Sequence, residues 1–302
     1  MSNSIAFASA MTSELDRAIA QKPVTGFFAD NGLKARFVGA KTVIIPEVAV
    51  SGLGDYDRNS GFVSGTITVT NTPVVLSMDR GRSFQLDRED NDETGIADLA
   101  GQIMGEFVRT KVVPEVDAYC LSKLAGYAAG KNQKVTGTPA TQAVSMLNTA
   151  IGKVQDAVGY DEELVAFVDS TMWKALQSSS ELQRMLSVGD FKKGELTTRV
   201  TSLNGVAILP VPDSRMKTAY TFYDGTTSGE EAGGFVAADE AKSIGLLVMP
   251  RRAASLVKKT DQVRTFDPAK NLNADAWKFD YRLYYDLFIK NSMAAGIYAY
   301  VY

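Results

Sequence analysis

Apolar and polar residues alternate along a stretch of this chain, residues 41–93, that is too long and too exposed to belong to a self-contained domain. Val43, Ile45, Val48 and Val50 flank a proline in a first apolar run. A turn-rich tip follows, Gly52-Leu53-Gly54-Asp55-Tyr56-Asp57-Arg58-Asn59-Ser60-Gly61. Ile67 and Val69 then alternate with Thr66, Thr68 and Thr70, and a turn is expected at Asn71-Thr72-Pro73 before an arm carrying Leu76, Met78, Phe84 and Leu86. Period-two alternation predicts strands with one apolar face. A hairpin alone is marginal in water, and open strand edges invite pairing with another chain. The ribbon needs a neighbour to lie on, which points to assembly rather than catalysis.

Helical periodicity marks other segments. Ile5, Ala8, Met11, Leu15, Ala18 and Ile19 predict an amphipathic helix over residues 2–20, closed by Pro23 and Gly26 and followed by an extended arm to Ala40. Asp90 and Glu93 have the spacing of a capping box, ahead of the stripe Ile96, Leu99, Ile103, Met104, Phe107 and Val108. Pro114 should kink or interrupt that helix, which resumes through Val116, Tyr119, Cys120 and Leu124 and gives way at the Gly/Lys/Thr-rich stretch 126–139. A further helix is expected from Ala143 to Val158, and another over 171–186 with a break at its serines. Apolar runs at 164–168, 206–211 and 244–249 read as buried strands, and 225–234 as a flexible polar loop. From Trp277 to Ile289 every odd position is large and apolar, a long strand with an aromatic face, and a short strand ends the chain.

Composition narrows the chemistry. The 302 residues contain no histidine and one cysteine, Cys120. That removes Ser-His-Asp and Cys-His catalysis, histidine metal sites, an internal disulfide and any CxxC motif. A net charge of −3 argues against a protein that grips nucleic acid, though not against one that surrounds it. There is no bilayer-length apolar run, and a cytosolic origin without signal peptide is the expectation.

These residues resemble the major capsid protein of tailed double-stranded DNA bacteriophages, an α+β protein of the Hong Kong 97-type fold. The resemblance rests on Ile45-Pro46, the tip from Gly52 to Gly61, Asp79-Arg80-Gly81-Arg82, Asp90-Asn91-Asp92-Glu93-Thr94 and Glu106-Phe107. It continues through Arg109-Thr110-Lys111-Val112-Val113-Pro114-Glu115-Val116-Asp117, Tyr281-Arg282-Leu283-Tyr284-Tyr285-Asp286-Leu287-Phe288 and Gly296-Ile297-Tyr298. It implies an N-terminal arm (1–40), an extended β-hairpin loop reaching over a neighbouring subunit (41–90), and a peripheral domain with a long spine helix (91–134). It further implies an axial domain (135–250), with the loop 225–234 near its tip, and C-terminal strands that return to the peripheral domain (251–302). The implied function is structural: self-assembly into hexamers and pentamers of an icosahedral shell, built in the bacterial cytoplasm, that encloses double-stranded DNA without binding it specifically. Scaffolding, portal and decoration proteins would be separate partners, since no long charged helical segment opens the chain. The lysine-to-asparagine cross-link of some relatives is not expected, because no lysine lies between Thr42 and Thr110. An encapsulin-like nanocompartment is the rival within the fold, and a cytosolic α/β enzyme the remote one.

Other candidate sites read as structural. Asp55, Asp57 and Asn59 approach a calcium loop, but the glycine falls one place late and position twelve is Thr66, so a turn with self-bonded Asx residues is expected. No phosphate loop occurs, and no cofactor is implied. The pairs Glu162-Glu163 and Glu230-Glu231 suit a solvated surface better than acid/base work. Cys120 lies on an apolar stripe, as a buried inert thiol would. Gly101 and Gly105 predict close packing of the spine helix. The residues assigned to a subunit interface are Asp55, Tyr56, Asp57 and Arg58 at the ribbon tip and Asp79, Arg80 and Arg82 at its base, because mixed charges on a projecting element fix partner and register.

Overall fold

The computed structural model describes residues 23–29, 31, 36–38, 42–87, 100–137, 139–179, 187–193, 196–203, 205–271 and 274–302. The helix expected over 2–20 and the capping box at 90–93 lie outside them. Along the chain come β1 (Arg36–Val38), β2 (Thr42–Val50), β3 (Ile67–Val75), β4 (Met78–Asp87), α1 (Ala100–Phe107), a π-helical turn (Val108–Val112) and α2 (Val113–Gly130). There follow β5 (Lys134–Thr136), α3 (Pro139–Val158), β6 (Leu164–Val168), α4 (Ser170–Ser178), β7 (Ser187–Lys193), β8 (Leu196–Leu203) and β9 (Val206–Pro210). The remaining strands are β10 (Tyr220–Phe222), β11 (Phe235–Ala237), β12 (Ile244–Pro250), β13 (Ala254–Phe266), β14 (Ala276–Ile289) and β15 (Tyr298–Val301).

A seven-stranded sheet in the order β5-β15-β12-β6-β9-β8-β7 forms the centre, parallel only at β5/β15 and β6/β9. Alternate residues of its strands enter two cores. Val165, Phe167, Leu209, Leu247 and Met249 pack with Leu121 and Leu124 of α2. Leu164, Ala166, Val168, Ile208, Leu246 and Val248 pack with Leu147 and Ile151 of α3 and Met172 and Leu176 of α4. Because both faces are covered, these strands read as unbroken apolar runs. The β7–β8 hairpin was not legible in the same way, and the expected helix over 171–186 ends at Ser178 within the described residues.

A second sheet, β13-β14-β4, is antiparallel throughout. Phe279, Tyr281, Leu283, Tyr285 and Leu287, the period-two face of β14, join the core of α1 and α2 with Met104, Val108, Val116 and Cys120. The aromatic stripe is core packing, with Lys278 and Arg282 at the alternate positions of the strand.

Pro114 behaves as expected. It sits in the first turn of α2, immediately after the π turn. A proline ring inside a helix displaces the carbonyl four residues back and lacks an N–H, and the wider π turn absorbs the misfit. The turn expected at Asn71-Thr72-Pro73 is not there. These residues continue β3, with Pro73 opposite Ile44. Proline is tolerated because β3 is an edge strand of the ribbon, and the missing N–H breaks no ladder bond on its open side. The chain instead leaves the ribbon at Leu76-Ser77.

Candidate functional site

The ribbon β2–β3 has two unlike faces. Val43, Ile45 and Val74 lie on one face and pack at its root with Leu76, Val257, Tyr284 and Phe288. The other face carries the opposed pairs Val48/Val69 and Val50/Ile67, and all four side chains are exposed, Val50 to 70% and Ile67 to 76%. Apolar side chains in a continuous row on a projecting hairpin mark an interaction surface. At the tip Phe62 is 89% exposed and leans on Tyr56, the two rings tilted with centroids 4.8 Å apart.

The tip turn is built by Asp57. Its carboxylate accepts hydrogen bonds from the Asn59 N–H (2.9 Å) and the Ser60 hydroxyl (2.9 Å), while the Asp57 and Gly61 backbones bridge each other. Those bonds hold its carboxyl below the usual range, the Asn59 N–H contributing most. Gly61 has a φ of 81°, which glycine adopts without strain. Asp57 and Asn59, which with Asp55 suggested a calcium loop, are therefore spent on an Asx turn. Among the described residues no group of three or more acidic, histidine or cysteine ligands gathers to hold a metal. Asp55, Tyr56 and Arg58 project from this turn, all exposed.

The ribbon root is fastened by polar contacts. The buried Asp286 carboxylate of β14 accepts from the Ser77 N–H (3.1 Å), the Ser77 hydroxyl (2.9 Å), the Tyr119 hydroxyl (2.6 Å) and the Lys123 ammonium. Ser77 is the link between β3 and β4, so this cluster ties the ribbon to α2. Asn291 adds a hydrogen bond to Glu47 (2.6 Å).

The base residues of the predicted interface find partners inside the chain. Asp79 makes a two-point contact with Arg282 (2.9 and 2.7 Å) across β4 and β14. Arg80 forks onto Glu115 of α2 (2.6 and 3.2 Å) and also donates to the carbonyls of Tyr223 and Gly234. Arg82 donates to the Glu231 carbonyl (3.0 Å). Two arginines of β4 thus clamp the loop between β10 and β11. That loop, expected to be flexible, lies against β4 and is internally bonded. Asp224 accepts from the Thr227 N–H (2.8 Å) and hydroxyl (2.7 Å) and the Thr226 N–H (2.7 Å), which hold its carboxyl far below the usual range. Glu230 and Glu231 accept from the backbone N–H groups of Asp224 and Gly229. They are loop caps rather than an acid/base pair.

Sequence reading passed over Asp117, which is fully buried on α2. Its carboxylate accepts from the Val24 N–H (3.2 Å), the Thr25 N–H (3.1 Å), the Thr25 hydroxyl (2.6 Å) and Arg215 (3.0 Å). Burial pushes its carboxyl up, and the four partners oppose that. The signal was present: one acid on an otherwise apolar helix stripe. The segment 23–29 is anchored here, with Phe27 and Phe28 buried in the main core. Cys120, three residues on, is buried, and desolvation pushes its thiol up, as for an inert core thiol.

Between β4, the π turn and the clamped loop lies a cleft of about 800 Å³. Phe84, Phe107 and Phe235 contribute aromatic walls, Tyr285 lies deeper, and Arg82 and Lys111 line the same cleft. None of its lining residues comes from the ribbon segment 42–77.

No protein-family model and no curated protein matches the chain. Its fold does match solved structures. A structure described as Mycobacterium phage Che8 superposes with a TM-score of 0.54 at 13% identity, over 89% of this chain and 92% of that one. The capsid structure of the cyanophage P-SCSP1u gives 0.57 at 13% identity, over 88% and 84%. The virus-like particle from Pyrococcus furiosus gives 0.50 at 10% identity, over 97% of each chain. The architecture is that of phage capsid proteins, the α+β Hong Kong 97-type fold expected from the sequence.

Proposed function

We propose that this chain is the major capsid protein of a tailed double-stranded DNA bacteriophage, a structural protein that assembles into hexamers and pentamers of an icosahedral head. The observation that carries this reading is the ribbon of a capsid fold with its apolar row Val48, Val50, Ile67 and Val69 left exposed among the described residues. Repeated contacts between identical subunits would cover that row and close the shell. The mild net negative charge suits a container that does not hold DNA by its phosphates, since each phosphate contact adds salt-dependent affinity. In this reading residues 1–40 are the arm, 41–90 the extended loop, 91–134 and 251–302 the peripheral domain and 135–250 the axial domain. The interface would include Asp55, Tyr56, Asp57 and Arg58, with Asp79, Arg80 and Arg82 shaping the surface at the ribbon base. The shell would be built in the host cytoplasm with separate scaffolding, portal and decoration proteins.

A second reading, an encapsulin-like compartment enclosing a cargo protein, is favoured by the match to the Pyrococcus virus-like particle over 97% of both chains. Negative-stain microscopy and size-exclusion of the chain expressed alone test the common part. Closed shells or rings of five and six support it, and a persistent monomer even with the neighbouring phage proteins overturns it. Particles purified from the native source then decide between the two, by containing double-stranded DNA or a cargo enzyme.

A further inference from the structure

The cleft between β4, the π turn and the 224–234 loop holds an unused hydrogen-bond donor. Tyr285 lines it at 1% exposure, and its hydroxyl has no hydrogen-bond partner among the described residues. Arg80 and Glu115, which also line the cleft, act on that hydroxyl electrostatically, but both oxygens of Glu115 are taken by Arg80. Desolvation pushes the Tyr285 hydroxyl well above its ordinary range, so it stays an O–H. A buried donor without an acceptor is costly, and native proteins usually give it one. The cleft wall is also cationic. Arg215 is paired with Asp117, Asp79 with Arg282, and Asp224 with its own loop. Arg82 and Lys111 are exposed there, with no carboxylate within ion-pair distance among the described residues.

Three demands fall on one ligand: a negative group for two cations, a flat ring for the Phe84, Phe107 and Phe235 walls, and an acceptor on that ring for a buried O–H. A simple aromatic acid lacks the third, and free phosphate lacks the ring. A nucleoside monophosphate has all three, and a cleft of about 800 Å³ has room for it. We propose that this cleft is a nucleoside monophosphate site, with the phosphate held by Arg82 and Lys111, the base against the aromatic wall, and a ring acceptor on the Tyr285 hydroxyl. The 224–234 loop is its lid. Gly225, Gly229, Gly233 and Gly234 all have positive φ, which glycine adopts without strain. One terminal nitrogen of Arg82 donates to the Glu231 carbonyl, and the other would stand 2.9 Å from a Cβ at Gly225. Glycine at 225 therefore lets the guanidinium lie against the lid and still face the phosphate. The site is independent of the shell reading.

Isothermal titration of the full chain with adenosine 5′-monophosphate, adenosine and inorganic phosphate tests the site. The monophosphate should saturate at one per chain and bind roughly tenfold more tightly than adenosine or phosphate alone. Lys111→Ala should weaken the monophosphate about fivefold and leave adenosine unchanged. Tyr285→Phe should weaken both the monophosphate and adenosine. It should also raise the melting temperature of the ligand-free chain, because a buried hydroxyl without an acceptor is removed. Phosphate binding as tightly as the monophosphate, an adventitious ion only, overturns the site. So does an absence of saturation, or an affinity that neither variant changes. Assembly is read separately by microscopy, so failure here leaves the shell reading intact.

Discussion

At the residue scale, buried carboxylates do most of the fastening. Asp117 joins the arm, α2 and the turn at Arg215 with one side chain. Asp117→Ala would strand two backbone donors, the Thr25 hydroxyl and a guanidinium, and breaking such a pair costs about 3–5 kcal/mol. Denaturant unfolding should show that loss, while a surface control such as Glu162→Ala stays near parent stability. Glycines give opposite expectations. The sequence suggested that Gly105 permits close helix packing, but a Cβ there meets nothing within 4 Å. Gly105→Ala should therefore stabilise, by roughly 0.5–1 kcal/mol, through helix propensity alone. The packing around Gly101 lies outside what is described. A Cβ at Gly81 would come 2.9 Å from the Tyr281 carbonyl, so Gly81→Ala should destabilise by about 1–3 kcal/mol. Thermal melts of the two variants should move in opposite directions.

At the element scale, the clamped loop and the ribbon respond to different variables. Asp224 has a folded pKa held below its unfolded value of about 3.9. Its contribution is fully present above that value and is lost as pH falls through the depressed folded pKa. The loop should therefore resist proteolysis from neutral pH down to mild acid, and Asp224→Ala should be nicked within 224–234 already at neutral pH. Parent-like resistance in that variant would show that the arginine clamp alone orders the loop. The ribbon tip is independent of the cores, with no buried side chain among residues 52–61. Deleting 52–61 should leave a monomer with parent-like unfolding that no longer closes shells. Normal particles from that deletion would remove the ribbon from the assembly. Why β3 could be read as two arms joined by a turn is also clear at this scale: Pro73 is a turn signal by local chemistry, and only the open edge of β3 makes it harmless in a strand.

At the scale of the whole molecule, the chain builds one body with two cores against a central sheet and leaves an apolar appendage uncovered. Local period and side-chain type settle one part of this molecule. The buried runs at 164–168 and 244–249 follow from sheets covered on both faces, and the aromatic period-two strand of β14 from one apolar face. The burial of Cys120 follows from the helical stripe, and the lack of histidine chemistry from composition. Tertiary structure decided everything that depends on which distant groups meet. It placed Arg80 on Glu115 and Asp79 on Arg282, far apart in sequence, so charges that looked available for partners were found engaged. It brought the 224–234 loop onto β4, buried Asp117 beneath residues 24–25, and shaped the cleft beside β4. Periodicity records which face of an element is apolar, but pairing between distant polar groups is set by chain topology, and no local pattern encodes it.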